Sequence, residues 1–131
     1  MSGLADQIVV LDNGSSDGTF LRYANYPKVS KILKTEGYHE GRDKVMLLEE
    51  ARKLKPDWVI WTDADEVFEK NLTRETLDYY MNGKFDRVTF RMCNFWLDRV
   101  HCRYDSNYLL YTVHPQRSMW RNADSAFFKN W

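Results

Sequence analysis

The chain has 131 residues, 19 basic against 19 acidic side chains, and 15% aromatic residues. That length suits one domain able to bury roughly two thirds of the surface it exposes when unfolded, and the charge balance excludes the basic footprint of a general nucleic-acid binder. Cys93 and Cys102 lack metal-ligand spacing and read as free thiols of a reducing compartment, and no apolar run approaches the roughly 20 residues of a membrane span.

Residues 7–11 (QIVVL) are apolar and β-branched, which predicts a buried strand, and the DNGSSDGT that follows is dense in turn formers. A short helix is expected over 19–24, capped by Asp17 or Ser16, and a second strand over 29–33. From Gly41, Val45, Leu48, Ala51 and Arg52 share one face at helical spacing, widened by Met46, Leu47 and Leu54, and this helix stops before Pro56. Residues 58–62 (WVIWT) read as a continuous apolar strand, the kind buried on both faces of a largely parallel sheet. Thr73 caps a helix over 74–81, with Leu77, Tyr80 and Met81 inward and Asn82-Gly83 at its end. Residues 85–92 alternate at strand period, with Val88, Phe90 and Met92 opposite Thr89 and Arg91, and strands are also expected over 108–113 and 117–121. Strands alternating with helices predict an α/β domain whose ligands sit at the carboxyl edge of the sheet.

Two polar loops lie at such edges. After the first strand, Asp12 supplies an acceptor for a base N–H or a ribose hydroxyl, and the glycines expose backbone N–H groups, although Asp12 and Asp17 also suit plain turn capping. Counting an EF-hand from Asn13 puts Ala24 where the bidentate acid belongs, so the EF-hand reading fails. After WVIWT come Asp63, Asp65 and Glu66; like charges near 4 Å repel by about 4 kcal/mol at an effective dielectric of 20, and Mg²⁺ or Mn²⁺ would relieve this while bridging to a diphosphate. The alternative is a solvated loop in which the acids point apart, or in which Glu66 starts the next turn. Between these loops Gly41-Arg42-Asp43-Lys44 opens a helix, and a helix start with adjacent cations suits phosphate.

IVVLDNGSSDGT followed by GRDKVMLLEEARKLKPDWVIWTDADEVF resembles the donor-binding half of family 2 glycosyltransferases of the GT-A fold, over about residues 4–68. The resemblance implies one GT-A-like domain over 1–131, a mostly parallel sheet flanked by helices. Residues 1–68 would be the donor-nucleotide and metal half and residues 69–131 the acceptor-side half. It implies that Asp12, Asn13, Gly14, Ser15, Arg42 and Asp63 hold a UDP- or GDP-sugar, and that Asp65 with Asp63 binds Mn²⁺ or Mg²⁺, Asp65 being the more direct ligand. The implied reaction is attack by a hydroxyl of a glycan, lipid or protein acceptor on the anomeric carbon, with inversion.

The segment before QIVVL is shorter than in that family, so the N-terminal strand is expected to be absent and the sheet to have an open edge suited to a homodimer. A non-catalytic binding or self-assembling module is therefore the competing expectation; a sugar-phosphate nucleotidyltransferase lacks its Gly-rich loop here. No general base is assigned among Asp98, Asp105 and Asp124. A cytoplasmic location is expected, with peripheral contact to a membrane allowed.

Overall fold

A computed structural model of the chain describes residues 3–90 and 117–122. Its elements run β1 (Ile8–Asp12), α1 (Thr19–Tyr23), β2 (Val29–Lys34), α2 (Glu40–Lys53), β3 (Trp58–Ile60), α3 (Arg74–Met81), β4 (Arg87–Phe90) and β5 (Arg117–Arg121). The strands expected at 91–92 and 108–113, together with Cys93, Cys102, Asp98, Asp105 and Asp124, lie outside the described residues.

β1 and β2 pair in parallel, Asp12 opposite Lys34 at the carboxyl end, with a register shift between Ile8 and Val9. α2 packs against β1, which completes the right ingredients for a β-α-β layer. The remaining described strands pair differently from expectation. β5 lies between β3 and β4 and is antiparallel to both, so one of the three described ladders is parallel and two are antiparallel. WVI is only half-buried, not covered on both faces, because an antiparallel ladder can leave one face to solvent.

Helix α2 is rotated relative to the expected stripe. Leu48 is buried and Leu47, Ala51 and Leu54 are half-buried, but Val45 is 45% exposed. The reason is Asp43, which is buried. At about 100° per residue, Val45 stands roughly 200° round the helix from Asp43, so turning the carboxylate inward turns the valine out. α3 follows its sequence signals: Thr73 caps it by accepting from the Thr76 N–H, Leu77 is buried, and Asn82 ends it. The next cap comes from across the sheet, where Arg121 Nη2 on β5 donates to the carbonyls of Met81, Gly83 and Phe85 at 3.2–3.4 Å while its guanidinium lies over the Trp58 ring. A cation on orphaned helix-terminal carbonyls is favourable, and here it ties α3 to the β3-β5-β4 sheet. The buried residues among those described are Leu48, Leu77, Met119, Trp120, Asp12 and Asp43. Two of these six are carboxylates, and both stand beside the polar loops at the strand ends.

Candidate functional site

The loop after β1 is built around Asp12. Its side chain is 2% exposed, and Oδ1 accepts from the Gly14 N–H at 2.9 Å and the Ser15 N–H at 2.7 Å. Gly14 takes φ +94°, and a Cβ there would meet the Thr35 carbonyl at 3.6 Å, so the backbone conformation requires glycine. The cap of α1 is Gly18 in the left-handed region, not Asp17 or Ser16; the Asp17 carboxylate instead accepts from the Thr19 N–H one residue further on. Among the described residues Asp12 Oδ2 is buried with no hydrogen-bond partner. A buried carboxylate oxygen left without a donor carries the desolvation cost of that group, and a ligand N–H or O–H would remove it.

Asn13 reaches the other way. Its Nδ2 donates to Thr35 Oγ1 at 2.8 Å, Asp43 Oδ2 at 2.9 Å and the Gly37 carbonyl at 3.3 Å. Asp43 in turn accepts from the His39 N–H at 2.9 Å and, through Oδ1, from Arg42 Nε at 2.8 Å, and Oδ1 is ion-paired with Arg42 Nη2 at 2.7 Å. Arg42 Nη2 also donates to the Gly37 carbonyl at 2.7 Å. His39 caps α2, its Nδ1 accepting from the Arg42 N–H at 3.2 Å. The expected phosphate cradle at this helix start is therefore partly filled from within: Asp43 supplies an anion to the first turn, Arg42 is paired with it, and Lys44 is paired with Glu40. Among the described residues Nη1 of Arg42 meets no partner, on a side chain that is 41% exposed.

The acidic loop after β3 is a turn closed by Glu66. Glu66 Oε2 accepts from the Asp63 N–H at 2.9 Å and from Thr62 Oγ1 at 3.2 Å, and its own N–H donates to the Asp63 carbonyl at 3.2 Å. Of the three acids, Glu66 thus closes the turn rather than starting the next one, while Asp63 and Asp65 stand exposed at its tip. Asp63 Oδ1 accepts from the Trp61 indole N–H at 3.3 Å; Asp65 makes no hydrogen bond or ion pair with the described residues. Phe68, just beyond, meets Phe90 of β4 edge to face with ring centroids 5.4 Å apart, which anchors the far side of the turn.

The first turn of α2 joins the two loops. Asp43 holds Asn13 of the β1 loop, and the next residue, Lys44, has Nζ 5.9 Å from the centre of the Trp61 ring, whose N–H reaches Asp63. Sequence reasoning named Asp12, Asn13, Gly14, Ser15, Arg42, Asp63 and Asp65 but gave no role to Asp43, His39, Thr35 or Trp61. An acid in the first turn of a helix, thirty residues after an Asn in a strand-end loop, was the available signal.

Hydrogen bonding outweighs burial at both buried acids. The Ser15 N–H above all holds the Asp12 carboxyl below its ordinary value of 3.8, against burial, with Gly14 and the Lys34 charge assisting. The His39 N–H does the same for Asp43, with Arg42 and Asn13 assisting. Both groups are depressed, so the unfolded chain binds more protons in acid and stability rises with pH there. Their contribution is fully present above the ordinary aspartate value and is lost as pH falls through the lower folded values. Melting temperatures measured from pH 6 down to pH 2.5 are expected to drop most steeply below 3.8, and Asp43→Asn is expected to flatten that drop; equal slopes in the two chains would contradict the assignment.

A family model described as glycosyl transferase family 2 matches residues 2–128. No curated protein and no solved structure gives a significant match. The chain belongs to glycosyl transferase family 2, which implies the GT-A fold for this mixed α/β chain with its parallel β1-β2 pair flanked by helices.

Proposed function

We propose that this family 2 member transfers a sugar from a UDP- or GDP-sugar to an acceptor hydroxyl, with inversion, and that Mn²⁺ or Mg²⁺ at Asp63 and Asp65 is required. The observation that carries the reading is the convergence of both loops on the first turn of α2, through Asn13 with Asp43 and Lys44 with Trp61. A nucleoside diphosphate presents three things at fixed spacing: base donors, a pyrophosphate and the sugar. In this reading Asp12 Oδ2 accepts from the nucleoside, the Gly14 and Ser15 backbone lets it approach closely, and Arg42 Nη1 faces the diphosphate.

The residues present fit a divalent cation of the magnesium type. Such an ion takes one or two protein carboxylates and completes its shell with water and substrate phosphates, and Glu66 is turned into the loop while Asp63 and Asp65 are exposed. Among the described residues no group of three His, Cys, Asp or Glu side chains forms a closed site, in keeping with a cation shared with its substrate. When bound, the ion would neutralise charge building on the departing diphosphate. Arg42 adds to that stabilisation from the protein side, and the acceptor hydroxyl attacks the anomeric carbon as the bond to the diphosphate breaks.

Two cysteines are fewer than a disulfide-stapled secreted scaffold of this size carries, which supports a reducing compartment for this activity; among the described residues no helix is long and apolar enough to cross a membrane. The test is release of UDP or GDP from a panel of nucleotide sugars with Mn²⁺ and with EDTA. Metal-dependent release from one donor class is expected. Binding of nucleotide without turnover of any donor, with acceptors supplied, would favour the non-catalytic module instead.

A further inference from the structure

Asp43 accepts from three donors on three segments, the Asn13 amide, the His39 backbone and Arg42 Nε, and its Oδ1 is also ion-paired with Arg42 Nη2. Its two oxygens divide the work, Oδ2 facing the β1 loop and Oδ1 facing Arg42. We propose that Asp43 is a positioning residue of the donor site, fixing which edge of Arg42 and which face of the Asn13 amide meet the nucleotide diphosphate. This rests on the reading that the β1 loop and Arg42 hold the donor.

Each half of the proposal follows from donor and acceptor chemistry. Asp43 and the Gly37 carbonyl only accept, so the atom of Asn13 facing them is Nδ2 and the carbonyl Oδ1 is turned away from them. That leaves Asn13 as an acceptor neighbour of Asp12. An unrestrained arginine side chain has many rotamers to lose when a ligand holds it. A salt bridge to a carboxylate that is 7% exposed, with Gly37 as second acceptor, removes that freedom before ligand arrives.

An amide at position 43 separates the two halves. The His39 N–H is fixed and must meet an oxygen, so in Asp43→Asn the amide nitrogen faces Arg42, donor against donor. Asn13 stays held while Arg42 is released.

The experiment is a calorimetric titration of UDP and of GDP with Mn²⁺ into the full chain, its Arg42→Ala and Asp43→Asn variants and the double variant. Each single change is expected to weaken binding by about tenfold, and the double change by no more than either alone, because both remove the same held guanidinium. A double variant weakened by the product of the two singles would mean that Asp43 only supports the fold, and would overturn the proposal. Unchanged affinity in a folded Asp43→Asn chain would do the same. Arg42→Lys keeps the charge on an exposed side chain but loses the fork; binding equal to the parent chain also counts against it. If the parent chain binds neither nucleotide, the donor reading fails and takes the donor role of Asp43 with it. A protected Arg42 Nε proton, seen by NMR and lost in Asp43→Asn, would then mark a structural ion pair alone.

Discussion

Asp65→Ala is expected to cut metal-dependent release of nucleoside diphosphate by at least about a hundredfold, with little change in melting temperature. The size follows from the several kcal/mol that a bound cation contributes to a developing phosphate charge. The small stability cost follows from the position of Asp65, exposed at the tip of a turn that Glu66, not Asp65, holds closed. Glu66→Gln provides the contrast, because it weakens the acceptor for the Asp63 N–H and for Thr62 and is expected to lower stability while leaving Asp63 and Asp65 in place. Comparable loss of release in Asp65→Ala with and without Mn²⁺ would show that the residue serves something other than the metal.

Asp12→Asn is expected to lower UDP or GDP affinity by roughly a hundredfold, again in a folded chain. The asparagine carbonyl can still accept from the Gly14 and Ser15 N–H groups, so the turn survives. The atom that changes is Oδ2, buried and without a partner, which becomes an NH₂ donor facing the donors of the ligand. Sites built to hydrogen-bond a substrate reject a mismatched polar group by factors of this order or larger. Asp12→Ala mixes two effects, since it also strips the loop of its organising acceptor. A full-strength nucleotide complex in Asp12→Asn would remove Asp12 from the base-recognition role.

Local signals were read well where the physics is local. Thr73, the Leu77 face and Asn82-Gly83 define α3 over Arg74–Met81, the residues expected for it, because capping and periodicity act within one turn. The end of β1 and its glycine turn were likewise legible, since only glycine suits φ +94° at Gly14. Pairing was not legible: nothing within WVI says that its neighbour is β5, some sixty residues on and antiparallel. Asp43 was missed for the same reason. In sequence it looks like a solvated acid that favours a helix start, and only Asn13, His39 and Arg42, brought round it by the packing of α2 on β1, make it a buried junction. The misplaced Val45 is the other side of that event. The acidic loop lies between these cases: the spacing of Asp63 and Asp65 is visible in the sequence, but the separate task of Glu66 needs the folded turn.

If the two loops form one donor site across the first turn of α2, nucleotide and metal together must be felt on both of them. The most direct measurement is NMR of the labelled chain with UDP and GDP, then with paramagnetic Mn²⁺ added. Nucleotide is expected to shift the Gly14 and Ser15 amides, and Mn²⁺, only with nucleotide bound, to broaden the Trp61 indole and Asp65 amide signals. Nucleotide shifts confined to other residues, or Mn²⁺ broadening away from residues 61–66, would contradict it.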